Sequence, residues 1–130
     1  MRLRRTTVWA CLLILLLGCG SSNWGTATGT ASLDGEPLQK GTVSLEPVDG
    51  GAIAYATITA NGSFRVMTGS KEGLQIGKYK VTVVDQTIPD MDSNEVVKLL
   101  TPAKYADSAT SELEATIKPG RNTLEFHLKK

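Results

Sequence analysis

From Trp24 onward, apolar and polar residues alternate along short segments, and Gly, Asn, Asp or Pro separates each segment from the next. Because successive side chains of a strand point to opposite faces, each alternating segment predicts a half-buried β-strand. The segments are residues 26–33, 43–45, 52–59, 63–67, 77–83, 113–117 and 124–128. Seven strands at this spacing predict an all-β fold over residues 24–130, a seven-stranded Greek-key β-sandwich.

Two turn signals fix the expected strand connections. Asp34-Gly35 follows the first segment, and Asn61-Gly62 separates the third segment from the fourth. Asn and Gly both tolerate positive φ, so the second pair is the strongest hairpin signal in the chain.

The connection over residues 86–112 departs from this pattern of short loops. A loop with no structure of its own rarely exceeds about 12–15 residues, so this segment is either tied to the sandwich or mobile. Residues 95–100 contain four apolar side chains, enough for a short helix or a docked strand. Periodicity does not separate these two alternatives over so few residues.

Residues 1–18 have the three parts of a bacterial export signal. Arg2, Arg4 and Arg5 form a basic start, residues 8–17 are an apolar run, and Gly18 is the small residue before Cys19. A helix needs about 20 apolar residues to cross a bilayer, so the run favours a removable signal over a short permanent anchor or a buried helix.

The segment Leu16-Leu17-Gly18-Cys19 resembles a lipobox, the site at which bacterial lipoproteins are acylated on cysteine and cleaved before it. The resemblance implies a lipid-bearing Cys19, a tether over residues 19–23 and a membrane as partner. Gly20 stands where an aspartate would signal inner-membrane retention, so we expect the outer membrane, with the domain facing the periplasm or the cell surface.

The charge and the cysteine count exclude some classes of function. The 130 residues include 14 basic and 13 acidic side chains, and removing residues 1–18 leaves 11 basic and 13 acidic ones. A mildly acidic domain with no basic block is not expected to bind nucleic acid. Cys11 would leave with the signal and Cys19 would carry lipid, so the mature chain would have no thiol for a disulfide, a zinc site or a nucleophile.

Two stretches resemble a known family: GTASLDGEPLQKGTVSL at residues 29–45, and GSFRV with EGLQIGKYKVTV within residues 62–83. They are similar to the carboxypeptidase regulatory-like, transthyretin-like domain. Residues 102–107 and 122–128 are similar to the small planctomycete lipoproteins that combine a lipobox with one such sandwich, and Glu112 stands where their pattern has glycine. The resemblance implies a fold and a location rather than an activity.

Few side chains are candidates for chemistry. His127, the single histidine, alternates with core residues on the last strand, which places it on the polar face beside Glu125. Lys104 and Tyr105 lie on the long connection, where Tyr105 either plugs the end of the sandwich or offers an aromatic surface to a sugar or peptide. Trp24 is expected either at the edge of the core or at the membrane interface.

Asp90, Asp92 and Asn94 offer oxygen ligands at alternating positions, but the glycine and glutamate that a calcium-binding EF-hand requires are replaced by Glu95 and Thr101. The sequence therefore favours a solvated acidic loop over a calcium site, and it implies no cofactor. It also contains no catalytic motif with a paired nucleophile and base.

The expected function is a non-catalytic, lipid-anchored module of the cell envelope, structural or binding protein or carbohydrate. One alternative is a periplasmic small-ligand binder with residues 86–112 as a lid. Others are an accessory subunit of an envelope enzyme and a module that adds a partner's strand to an exposed sheet edge.

Overall fold

A computed structural model describes residues 23–87, 91–92 and 94–130. They form eleven strands and one 3-10 helix. The strands are β1 (Trp24–Leu33), β2 (Glu36–Pro37), β3 (Thr42–Pro47), β4 (Ala54–Thr57), β5 (Ser63–Arg65), β6 (Met67–Thr68), β7 (Lys71–Glu72), β8 (Leu74–Gln75), β9 (Gly77–Val84), β10 (Leu113–Ile117) and β11 (Gly120–Leu128), and the helix is η1 (Ala103–Ala106). The predicted all-β fold is confirmed. The expected signal and the lipidated Cys19 lie outside the described residues.

The strands form two open sheets that enclose one core, as in a β-sandwich. In the first sheet, β1 pairs with β11 along one edge and with β2, β5 and β8 at successive points of the other. The second sheet has the order β10-β9-β3-β4-β6-β7. The β1–β11 pairing is parallel, from Gly25 opposite Gly120 to Leu33 opposite Leu128, and the other pairings are antiparallel.

The core is built from the inward positions of both sheets. In β9, Tyr79, Val81 and Val83 are buried, while Lys78 and Lys80 are exposed. The Phe64 and Phe126 rings stack with centroids 5.8 Å apart. Burial of the alternating apolar residues thus follows the predicted pattern, and it is the main source of stability for such a fold.

The chain turns back at Asn61-Gly62, where the sequence predicts a hairpin. Gly62 has a φ of +80°, whereas Asn61 is not among the described residues with positive φ. The Gly62 N–H donates to the Thr59 carbonyl at 2.9 Å, and the Thr59 N–H donates to the Ser63 carbonyl at 2.8 Å. The loop therefore has three residues, 60–62, in which a turn is followed by one left-handed glycine.

The described part of residues 86–112 is tied to the sandwich at three places. Gln86 forms an antiparallel bridge with Leu99, and the Leu100 N–H donates to the Asp85 carbonyl at 2.8 Å. The segment 95–100 is thus docked by an isolated bridge and forms neither a helix nor a regular strand. The second attachment is Tyr105 of η1, which is buried. The third is the buried Ser111, whose hydroxyl donates to the Val81 carbonyl.

The two ends of the sandwich follow from the strand directions. At the end where β1 begins, the Ile76 N–H donates to the Asn23 carbonyl at 2.9 Å and the Val48 N–H donates to the Lys78 carbonyl at 3.0 Å. We call this the N-terminal end, comprising loops 48–53, 68–73, 75–78 and 118–121. We call the opposite one the distal end, comprising 34–41, 58–62, the described residues of 85–112, and 129–130.

Candidate binding site

A hairpin that bridges the two sheets creates an open concave surface on the side of the sandwich. Strand β4 belongs to the second sheet and β5 to the first, where Phe64 pairs with Gly29. After Val66 the chain returns to the second sheet, and Met67 pairs with Tyr55. The outward side chains of this hairpin therefore meet the outward side chains of the first sheet at an angle.

The resulting open groove, which we call the threonine groove, has a volume of about 750 Å³. Five threonines, one serine, two aromatic residues, an arginine, a methionine and a glycine line it. They are Thr28, Gly29, Thr30, Tyr55, Thr57, Thr59, Ser63, Phe64, Arg65, Met67 and Thr123. Hydroxyl groups thus dominate the polar part of its wall.

Most of the threonine hydroxyls are available to a ligand. Thr59 is engaged, since its hydroxyl donates to Asn61 Oδ1 at 2.8 Å. Within the described residues, the side chains of the other four threonines form no hydrogen bond. They are Thr28, Thr30, Thr57 and Thr123. Each hydroxyl can donate one hydrogen bond and accept two.

The groove carries little charge. Its one charged lining residue is Arg65, whose Nε lies 3.6 Å from Glu72 Oε1 in an exposed ion pair. Its lining contains no carboxylate, histidine, cysteine or lysine. A wall of hydroxyls with a single cation is suited to binding a neutral polar molecule.

Tyr55 connects this groove to a second depression. Its side chain is 51% exposed, although it lies on a strand of the second sheet. It also lines a depression of about 390 Å³ on the outer face of that sheet, together with Lys80 and residues 106–108. An aromatic ring between two hollows offers a stacking surface to a ligand longer than either hollow.

Tyr105 fills the end of the core. Its side chain is 5% exposed, and its hydroxyl accepts a hydrogen bond from the Lys129 N–H at 3.0 Å. The alternative in which Tyr105 offers an aromatic binding surface is wrong, because the ring is enclosed. Lys104 is exposed with its Nζ 4.8 Å from the centre of that ring, so the cation covers the plug from outside.

His127 lies on the outer face of the first sheet, as expected. Its Nε2 is 3.5 Å from Glu125 Oε2, and its Nδ1 is 3.1 Å from the Ser32 hydroxyl. Both neighbours are exposed or partly exposed surface residues, so the histidine belongs to a polar surface cluster. This cluster borders the threonine groove, because Glu125 is paired with Thr30 in the β1–β11 register.

Trp24 is half-buried at the N-terminal end. Its indole N–H donates to the Glu72 carbonyl at 2.8 Å, and Lys71 Nζ lies 4.0 Å from the ring centroid. The ring therefore forms the edge of the fold with a cation on one face.

The residues of the expected acidic loop are only partly described. Asp92 and Asn94 are exposed, and Asp90 lies outside the described residues. The preference for a solvated acidic loop over a calcium site therefore stays a prediction. Just before the connection, Asp85 is buried, and its Oδ1 has no hydrogen-bond partner among the described residues.

Sequence reasoning located Tyr105 and Lys104 but not the threonine groove. The threonines of β1 were visible as a polar face, and Tyr55 as an aromatic residue on the polar side of a predicted strand. The alternation could not indicate the bend that brings β4 close to the first sheet. That bend depends on the position at which the hairpin passes from one sheet to the other.

No family model, curated protein or solved structure matches this chain. In the portion of the chain that the structure describes, no helix is long and apolar enough to cross a membrane. The same residues hold no group of three or more His, Cys, Asp or Glu side chains that could bind a metal.

Proposed function

We propose that this chain is a lipid-anchored, non-catalytic binding module of a bacterial cell envelope. Its domain would be a Greek-key sandwich of the transthyretin-like type, built on the seven strands that have three or more residues. The observation that carries the proposal is the order of a basic start, a ten-residue apolar run and Leu-Leu-Gly-Cys at residues 16–19. Two or three acyl chains on one cysteine would hold the domain at the membrane, since each buried CH₂ contributes about 0.8 kcal/mol. The outer membrane is the proposed location.

Anchoring is tested by comparing the intact mass and membrane partitioning of the native chain with those of a Cys19→Ser variant. We expect the native chain to lose residues 1–18, gain acyl mass and sediment with membranes, and the variant to gain no acyl mass. Native protein without acyl mass would overturn the proposal and make the domain a freely diffusing one.

For the binding partner we propose a neutral carbohydrate in the threonine groove. Sugars present hydroxyls to hydroxyls and C–H faces to aromatic rings, which matches four free threonine hydroxyls beside the exposed ring of Tyr55. The groove is open rather than enclosed and continues past Tyr55 into the second depression, so a chain of sugars fits it better than a single small molecule.

Carbohydrate binding is tested by co-sedimentation of the mature protein with insoluble peptidoglycan, cellulose and chitin. We expect Tyr55→Ala to weaken binding to the retained polymer by up to about tenfold, the size of one aromatic stacking contact. Thr28→Val with Thr123→Val should also weaken it, because two hydroxyls are lost with the side-chain shape kept.

The matched control is Thr116→Val, on exposed β10 outside the groove, which should leave binding unchanged. Retention of none of the polymers, or equal retention of all variants, would contradict the carbohydrate proposal and leave the anchoring proposal standing.

A further inference from the structure

The N-terminal end of the sandwich carries a net positive surface, while the distal end is acidic. The described loop residues of the distal end include seven acidic and five basic ones. Those of the N-terminal end include four basic and two acidic residues, all six exposed. They are Lys71, Lys78, Lys118 and Arg121, against Asp49 and Glu72. The charges of the domain are therefore separated along the direction of the strands.

Exposed apolar side chains accompany the cations at the N-terminal end. Val48 is 55% exposed, Ile53 is 40% exposed and Ile76 is 37% exposed. Single exposed aliphatic residues are common on proteins. Three in the loops of one end, beside basic residues and the indole of Trp24, form the combination that is favoured at the boundary between lipid headgroups and water.

The position of Cys19 decides which surface this end would meet. Four residues, 20–23, separate Cys19 from Trp24, the first residue of β1. A flexible tether of that length spans about 10–12 Å. This is comparable to the Debye length of about 8–10 Å at physiological salt, so the tether lets the charges of the N-terminal end come within range of the headgroups.

We propose that the N-terminal end of the sandwich docks on the anionic lipid surface that holds the acyl chains, so that the domain stands with its distal end away from the membrane. This inference rests on the proposed lipid anchor. Lys78, Lys118 and Arg121 attract the headgroups, while Val48 and Ile76 enter the boundary layer. The threonine groove, on the side of the sandwich, then stays open to the surrounding space.

The test uses Trp24, which is the single tryptophan of residues 19–130 and therefore a fluorescent reporter at the docking end. The acylated mature protein is reconstituted into phosphatidylcholine vesicles with and without phosphatidylglycerol, containing lipids brominated close to the headgroup. We expect bromine to quench Trp24 strongly in the anionic vesicles, and more weakly in neutral vesicles or at high salt.

Charge reversal provides the matched control. Lys78→Glu with Lys118→Glu should lower the ratio of docked to undocked protein by at least about tenfold, since each basic residue near an anionic surface contributes about a fivefold factor. Lys40→Glu with Lys129→Glu changes the charge equally at the distal end and should leave the quenching unchanged. Ile76→Ser should reduce it in both lipid compositions.

The outcomes separate the inference from its premise. Acylated, membrane-bound protein whose Trp24 is not quenched, or whose quenching responds equally to both charge reversals, overturns the docking inference and keeps the anchor. Protein without acyl mass overturns the proposed anchor and the docking inference with it.

Discussion

Two residues other than glycine, among those described, have a backbone in the left-handed region, which side chains with a Cβ disfavour. Glu112 has a φ of +58°, and it is one of two described residues other than glycine with positive φ. The other, Asp34, precedes Gly35 in a tight turn in which both residues have positive φ, and aspartate tolerates that region. Glutamate has no such adaptation, so its conformation is imposed by the neighbouring structure.

Replacing Glu112 by glycine should therefore stabilise the domain. The left-handed conformation costs a residue with a Cβ about 1–2 kcal/mol, while glycine loses about 0.5–1 kcal/mol more conformational entropy on folding. We expect the free energy of unfolding in urea to rise by about 0.5–1 kcal/mol. Glu112 is exposed, so the side chain itself contributes little packing.

The control is Glu114→Gly, two residues further along in extended β10 and equally exposed. It should lower the free energy of unfolding, because there glycine brings only the entropic cost. If both substitutions destabilise the domain to the same extent, the strain assigned to Glu112 is wrong.

At the scale of elements, the alternation of side chains was sufficient to place the longer strands. It predicted the inward faces of β9 and β11 because a half-buried strand requires period two, and burial in one core enforces it. It could not predict β2, β6, β7 and β8, which have two residues each, too few for a period. These short strands form where the chain passes β1 or doubles back on itself.

The order of the strands and the candidate site were less predictable, for one physical reason. Both depend on pairings between segments far apart in the chain, such as β1 with β11, and local patterns contain no information about partners. The burial of Tyr105 could be posed as one of two alternatives from sequence alone. Deciding it required the position of Lys129, whose backbone meets the tyrosine hydroxyl.

At the scale of the whole molecule, one buried phenol links the stability of the fold to alkaline pH. Tyr79 is 3% exposed, and its hydroxyl donates to the Gln75 carbonyl at 2.7 Å. Burial raises the pKa of Tyr79 above its ordinary value, because the charged phenolate is poorly solvated there. Folding thus favours the protonated phenol, and the contribution is fully present at pH values below the unfolded pKa of about 10.

As the pH rises above about 10, the unfolded chain ionises Tyr79 before the folded chain does, so the free energy of unfolding should fall until the pH passes the raised folded pKa. Urea titrations at a series of alkaline pH values measure this slope. Tyr79→Phe should flatten it, while lowering stability at neutral pH by about 1 kcal/mol through the lost hydrogen bond. Tyr55→Phe, at a half-exposed position, should keep the slope.

An unchanged slope in Tyr79→Phe would assign the alkaline sensitivity to other groups, and a slope lost in Tyr55→Phe would assign it to the groove. Tyr79 lies on β9 between its two neighbouring strands, opposite Pro47 of β3 and Ala115 of β10. Its ionisation therefore strains three strands of the second sheet together. We expect the loss of stability to be cooperative for the whole domain.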